Sequence, residues 1–600
     1  MGVKKSMLPV EEVLKGAIEY VPLRVGAPRS SGMPLRIFAW VVESQLIGKV
    51  VLAYFMRLNR LPQMLCDTAI PDSPMFLPEY PDDTIGEPAT KVLASDLGAI
   101  SRVDAAIECL PSYISRSQRL GDGYPFKFWC IRDYAGAYRS GRTTPMEVAE
   151  RFIQAVEDSE RLSPPMAYMI SFDASDIRKQ AAASAERFAS GSPLSMLDGV
   201  LIVVKDDIDC LPHESRGGTQ WLHKYREVKT DAACVARLRE CGVIFAGKTN
   251  MHELGMGTTG NNPYSGTARN PYDTTRYAGG SSSGSAAVVA SGLCPASLGT
   301  DAGGSIRIPS GLCGLVGLKC TFGRITLSGL VPVGWTLEAV GPIAANVEDA
   351  LIVYSAMIGS GPSDVVYSKP PPPCLPLFNH TSFQQLKLGI YTDWFTDVSP
   401  PEVATICRMA VDRFCERYSS RINEIAIPEL EELRNGHLVT TGSEICTCLN
   451  SIYKYGRKST CHETRVIIAL FKQFQSSLYV SAQRLRRRLM FYHMEIFRTV
   501  DVIVTPTTGV TAPFIPADAI STGETDLATH ADLMRFIVSA NFLGLPAVSV
   551  PVGHDKQGLP VGLQLIGKPW QEATLLRIAF AIEELCAKAR RKPAVFYDML

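Results

Sequence analysis

The sequence predicts an α/β fold in which helices layer against a sheet. Three observations carry that prediction. Short β-branched apolar runs, Val200–Val204, Val243–Ala246, Val500–Val504, Ala547–Val552 and Val561–Ile566, read as buried strands. Helical stretches alternate with them. No internal repeat or second hydrophobic core breaks the alternation. We therefore expect one large catalytic domain over 126–600, preceded by a mostly helical N-terminal extension over 1–125.

The elements follow in order. In the extension, Pro71–Pro88 is loop-like. Ile37–Met56 places Ile37, Trp40, Val41, Ile47, Val51 and Phe55 on one helical face. It predicts a single helix that packs on the main body or on a second copy of the chain, or lies at a lipid surface. Glu43 and Lys49 interrupt its apolar run well short of the roughly 20 residues a span needs, so no transmembrane helix is expected. The opening MGVKKSMLPVEE lacks the apolar centre of a signal peptide. Thr144-Pro145-Met146-Glu147 is a capping box with proline at the first helical position. Thr230 is expected to cap a helix that runs to Cys241 and is ended by Gly242. Ser283–Ser291 reads as a helix of small residues, Pro370–Pro373 as a surface loop and Ala573–Cys586 as a long helix.

Composition excludes some functions. The chain is 46% hydrophobic, and its 60 basic and 60 acidic residues cancel, leaving no global field to draw in nucleic acid. Sixteen cysteines include no CxxC, and Cys446-Thr447-Cys448 has the wrong spacing for a tetrahedral zinc site. Reduced thiols and an intracellular chain are expected.

Two motifs are decoys. Gly242 to Thr249 matches GxxxxGK[ST], but Val, Ile, Phe and Ala between the glycines favour a strand over a phosphate-cradling loop. Gly280-Ser281-Ser282-Ser283-Gly284 matches the nucleophile elbow GxSxG. An elbow must follow a buried strand, and Asp273–Ala278 is polar and turn-like. The nine histidines, among them His437, His493 and His530, read as surface or satisfied core residues.

The informative segments are GGSSSGSAAVVA at 279–290 and GTDAGGSIRIP at 299–309, with Lys205 upstream at the end of an apolar run. Serines this dense in glycine, with no histidine near, point to a nucleophilic serine served by another base. Gly303 and Gly304 let the chain before Ser305 take strained angles and turn its amides into one cavity. Lys205, at a strand C-terminus, stands where open α/β sheets place their sites. Desolvation there disfavours an ammonium, and Arg307 nearby acts in the same direction. Asp206 and Asp207 act against it, although strand alternation turns Asp206 to the opposite face. A lone lysine at a strand end reads equally well as a surface charge.

At these residues the sequence resembles the amidase signature family over roughly 130–600. LDGVLIVVKDDID, AGKTNMHELGMG, RYAGGSSSGSAAVVASG, LGTDAGGSIRIPSGLCGLVGLK, LPAVSVPVG and LPVGLQLIG occur in the family's order and at its spacing. The resemblance implies a single α/β/α layered domain around a twisted mixed sheet. It implies a Ser-Ser-Lys triad: Lys205 as base, Ser281 as bridging serine after a cis peptide bond from Gly280, and Ser305 as acylated nucleophile. Amides of Ala302, Gly303, Gly304 and Ser305 would form the oxyanion hole. Asp301 and Arg307 would buttress that loop, with Ser282 and Ser283 in support. No metal or cofactor is implied.

Within the family, the extension, GGTQWLH at 217–223, HELGMGTTGNN at 252–262, RLRRRLMFYH at 484–493, DVIVTPTTGVTAP at 501–513 and the ending KPAVFYDML resemble plant members that hydrolyse long-chain acyl amides. That implies cleavage of N-acylethanolamines and related fatty acid amides. It also implies a homodimer, and peripheral attachment to the endoplasmic reticulum or plasma membrane. Gly255, Met256 and Thr258 would line the substrate pocket, and the basic Arg484–Arg488 run would serve partner or membrane contacts or form a charged helix face. Competing expectations are an amidotransferase A-type component of a tRNA transamidation complex, a small-amide hydrolase of the indole acetamide type, and an inactive binding protein. The long apolar extension stands against the transamidation reading, and the complete set Lys205, Ser281, Ser305 against the inactive one.

Overall fold

The computed structural model describes residues 5–22, 25–27, 29–81, 87, 89–121, 123–361, 370–379 and 383–600. Part of the expected loop at Pro71–Pro88 thus lies outside the described residues. The core of the molecule is an eleven-stranded sheet. In chain order its strands are β1 (Met169–Ser171), β2 (Leu201–Lys205), β3 (Ile244–Thr249), β4 (Ala296–Thr300), β5 (Val316–Lys319), β6 (Val340–Ala344), β7 (Lys387–Ile390), β8 (Arg421–Glu424), β9 (Val502–Pro506), β10 (Ala547–His554) and β11 (Pro560–Gly567). In space they run β8-β7-β9-β11-β10-β5-β6-β4-β2-β3-β1. Parallel pairs (β2 with β3 and β4) sit beside antiparallel ones (β4 with β6, β10 with β11), so the sheet is mixed, as expected.

Sequence dictates these strands directly. β2 is buried along its whole length, as are β3, β4 and β11. A strand covered on both faces needs a continuous apolar run rather than an alternating one. The GxxxxGK[ST] match falls inside β3 and makes no phosphate loop. All of the expected strands appear within a few residues of their predicted bounds.

The helices that position the site are α1 (Gly32–Val42), α2 (Ile47–Leu58), α3 (Ser283–Ala290), α4 (Arg307–Leu312), α5 (Leu430–Leu449), α6 (His462–Phe471), α7 (Ser476–Phe497) and α8 (Glu572–Cys586). The capping box at Thr144 is formed, with the Thr144 hydroxyl accepting from the Glu147 amide at 3.2 Å. Among the described residues no disulfide forms, and most cysteines are buried as small apolar groups.

Four expectations are corrected. Ile37–Met56 is not one helix but α1 and α2, bent by 104° at the break. Gly48 marks the cause: a Cβ there would lie 2.3 Å from the Val42 carbonyl oxygen, so this close crossing needs glycine. Ile37, Trp40 and Ile47 point to solvent while Leu35, Ala39, Val42, Leu52 and Met56 are buried. The helix expected from Thr230 begins at Ala233 instead, with Ala232 at its N-cap and no side-chain cap. Asp273–Tyr277 is a short strand paired with Arg269–Asn270 in a separate two-stranded ribbon, outside the central sheet. The Arg484–Arg488 run is no free basic face. Arg486 and Arg488 are fully buried, Arg488 on Glu429 at 2.7 Å and Arg486 on the backbone of Phe76, Thr336 and Phe542, while Arg487 pairs with Glu79.

The extension shares its cores with the rest of the chain. Met56, Leu61 and Leu65 pack in one buried cluster with Leu485, Leu489 and Phe542; Leu35, Leu52 and Val466 form another. Glu43 is tied by Arg457 and Arg465, which, against the opposing effect of burial, hold its carboxyl down at about 2.

Candidate active site

The site forms where β2 and β4 end side by side. Their parallel register, Val203 with Ser297 and Val204 with Leu298, carries Lys205 and Thr300 to the same sheet edge. Lys205 is 1% exposed, so the surface-charge reading falls away. Its Nζ donates to Ser281 Oγ at 2.8 Å and to Thr300 Oγ1 at 2.6 Å. Asp207 Oδ2 lies 3.0 Å from the same nitrogen and accepts from Thr300 Oγ1 at 2.8 Å. Asp206 does turn away: its carboxylate accepts from the amides of Gly218 and Arg216.

Ser281 follows a cis peptide bond from Gly280. It is buried, and its carbonyl accepts from the His252 amide at 3.1 Å. Ser282 ties the two serine segments together, its amide donating to the Ser305 carbonyl at 3.3 Å and its hydroxyl to the Thr300 carbonyl at 3.4 Å. Ser283 opens α3, its hydroxyl on the Asn250 carbonyl.

The loop before α4 is held from below. Arg307 grips Asp301 through two 3.0 Å contacts, Nε to Oδ2 and Nη2 to Oδ1. Asn541 Nδ2 adds bonds to the Asp301 carbonyl and Oδ1, and Arg307 Nη1 reaches Gln564 Oε1 at 2.7 Å. Burial opposes ionisation of Asp301, but the Arg307 charge and these hydrogen bonds override it and hold the carboxyl far below its usual range. Both groups are fully buried, and removing one partner of such a pair costs about 3–5 kcal/mol. Arg307 is thus committed to Asp301.

Asp301 also shapes the backbone. Its Oδ1 accepts from the Gly304 amide at 2.7 Å and its Oδ2 from the Ile306 amide at 3.2 Å. Gly304 has φ +103°, a conformation side chains resist. With the Gly304 amide committed to Asp301, the amides of Ala302, Gly303 and Ser305 are those with no acceptor among the described residues. Ser305 Oγ likewise makes no hydrogen bond among them.

Ala302, Gly303 and Ser305 form part of the wall of a cavity of about 270 Å³. Gly255, Met256 and Thr258 line it too. The remainder is largely apolar and comes from both parts of the chain: Phe38, Leu52 and Phe55 of the extension, Leu433, Ile467 and Leu470 of α5 and α6.

Sequence reasoning missed Thr300, His437 and Glu338 here, and weighed Asp207 only as a charge acting on Lys205. Thr300 and Asp207 complete the surroundings of the Lys205 amine; the signal available was their place at the ends of neighbouring buried strands. His437, which reads from sequence as an ordinary histidine, donates from Nε2 to the Ala302 carbonyl at 2.8 Å. Burial pushes its imidazole down to about 4 against the opposing effect of that bond, so the ring is neutral at pH 7. Glu338, near the same buried group, is pushed up to about 8 by burial and by Asp207, against the pull of Lys205.

Comparison with known proteins identifies the family. The Amidase family model matches residues 148–576. A fatty acid amide hydrolase of Oryza sativa subsp. indica is 50% identical over 602 residues, covering 99% of each chain. The A component of a glutamyl-tRNA(Gln) amidotransferase from Sulfurihydrogenibium is 31% identical, over 78% of this chain and 99% of that protein. Among solved structures, a chain from a vestigial complex bearing on the origins of an s-triazine catabolic enzyme superposes with a TM-score of 0.70 at 28% identity, over 77% of this chain and all of its own. The chain belongs to the amidase family, as an amide-hydrolysing enzyme similar over its whole length, extension included, to a plant fatty acid amide hydrolase.

Proposed function

We propose that the enzyme hydrolyses long-chain fatty acid amides, N-acylethanolamines among them, through an acyl-enzyme on Ser305. The observation that carries the reading is the cavity. Ser305 opens onto an apolar chamber built jointly by the extension and the catalytic domain, a shape suited to an acyl chain.

The chemistry runs as a proton relay. The reactive state has Lys205 as a free amine, so that its 2.8 Å contact with Ser281 runs the other way and accepts the Ser281 proton. Ser281 takes the proton of Ser305, whose oxygen bonds to the amide carbon. The resulting oxyanion rests on the amides of Ala302, Gly303 and Ser305, pre-set by the Asp301–Arg307 pair. The proton returns along the relay to the amine as the C–N bond breaks. Water, deprotonated by the same relay, then cleaves the ester to fatty acid and restores Ser305.

The same reading makes α1 and α2 the lipid-facing side. Trp40, Ile47, Val50 and Tyr54 are exposed there, on the helices whose Phe38 and Phe55 line the cavity, as is Leu46 at the break between them. Among the described residues no single helix is long and apolar enough to cross a membrane. A homodimer completes the proposal.

Acyl amides of graded chain length, given to the purified chain, test the function. Rising kcat/KM with chain length supports it. Activity confined to small amides, or dependent on further protein components and tRNA, overturns it in favour of the competing readings.

A further inference from the structure

A second cavity, of about 340 Å³, shares no lining residue with the one beside Ser305. Helix α6 borders both, with Ile467 and Leu470 on the first and Ile468 on the second. Three cations line this second cavity: Lys454 and Arg457 on the turn between α5 and α6, and Lys472 just past the end of α6. No aspartate or glutamate lines it among the described residues.

The fold leaves this charge largely unmatched. Lys454 and Lys472 rest against the rings of Tyr455 and Tyr453, each 4.8 Å from the ring centre, and neither has an ion-pair partner among the described residues. Arg457 Nη2 meets Glu43 Oε2 at 2.8 Å, but Arg465 holds the same carboxylate, so one negative charge answers two positive ones. Like charges gathered without a counter-ion repel one another, and an anion in the cavity relieves that repulsion. Tyr453, 5% exposed, adds a hydroxyl with no hydrogen-bond partner among the described residues. Two ammonium groups and a guanidinium suit a phosphate, whose oxygens accept several charge-assisted hydrogen bonds at once.

Location narrows the source of that phosphate. Glu43 ends α1 at its break with α2, where Leu46 and Ile47 are exposed. The cationic cavity, joined to Glu43 through Arg457, thus sits beside the apolar face assigned above to lipid. A peripheral protein binds best when apolar side chains reach the acyl region and basic ones meet the headgroups.

We propose that the cavity lined by Lys454, Arg457 and Lys472 binds a phosphate group, that of an anionic phospholipid. The lipid source rests on the lipid-facing reading of α1 and α2; a soluble phosphate ester presents the same chemistry.

The test sediments the full chain with vesicles of phosphatidylcholine alone or carrying phosphatidic acid. Wild type is expected to bind the acidic vesicles at least about tenfold more tightly, given about fivefold for each basic residue at such a surface. Lys454→Gln with Lys472→Gln should remove most of that gain at an unchanged melting temperature. Should the pair melt lower, Lys454→Gln alone carries the comparison. Lys179→Gln with Lys229→Gln, at exposed lysines outside the cavity, removes the same charge and should keep the gain. Equal affinity for the two vesicles, or equal losses from the two pairs, overturns the headgroup site. Glycerol 3-phosphate binding measured by calorimetry, lost in the cavity pair and accompanied by no preference for acidic vesicles, would keep the phosphate site and move its source to solution. Failure to sediment with either vesicle would instead overturn the lipid-facing reading, and calorimetry alone would then decide the cavity.

Discussion

At the scale of single residues, the site is a set of buried polar groups, most of them answered by another. Lys205 touches Ser281, Thr300 and Asp207 at once. On the proposed relay, Lys205→Ala removes the base and takes from Asp207 Oδ2 its 3.0 Å neighbour. We expect kcat to fall by about 10²–10⁴, the usual worth of a positioned general base, as read in steady-state assays. Glu338 gives a separate prediction about stability. Its carboxyl holds its proton up to about 8 in the fold, whereas in an unfolded chain it ionises near pH ~4.3. Between those values the unfolded state binds fewer protons, so the fold loses stability as pH rises through that window. Glu338→Gln keeps the neutral shape and removes the loss. Melting followed at pH 5 and pH 8 should show the variant gaining on wild type by at least about 1 kcal/mol at the higher pH. A constant gap between the two proteins would contradict it.

Residue identity was more legible than residue contact. Ser281, Ser305 and Lys205 stand out because glycine and serine at that density serve few purposes besides bending backbone around a reacting group. Thr300 and Asp207 do not, because what makes them matter is the register between β2 and β4, a long-range property.

At the scale of elements, buried strands were readable and helix ends less so. A run such as Leu-Ile-Val-Val has no alternative to being covered on both faces. Helical periodicity, by contrast, continues across the α1–α2 break, because Ile37 through Phe55 keep their spacing even where the backbone turns. Only Gly48, where a side chain would strike the Val42 carbonyl, reports the bend. The bend leaves Trp40 and Val50 exposed while Phe38 and Phe55 line the cavity. If this face meets lipid, the double variant Trp40→Glu, Val50→Glu should sediment with liposomes several-fold less than wild type. Its melting temperature should be unchanged, as surface substitutions usually shift stability by under about 0.5 kcal/mol. Equal sedimentation would remove the lipid-facing assignment.

At the scale of the whole molecule, the extension forms part of the cavity beside Ser305. The family model begins at residue 148, yet the cavity beside Ser305 is closed partly by Phe38, Leu52 and Phe55. Its clusters are continuous with those of the sheet-bearing domain. The α/β class and mixed sheet followed from alternation and from the resemblance. The shared chamber followed from neither, because it depends on which face of the extension is turned inward. Every step of the proposed chemistry requires Ser305 to be the residue that carries the acyl group. Rapid quenching of the enzyme with a long-chain acyl amide, followed by peptide mass spectrometry, measures that directly. An acyl mass is expected on the peptide holding Ser305, accumulating far more slowly in Lys205→Ala. Acylation of a different residue, or the same rate without Lys205, would contradict it.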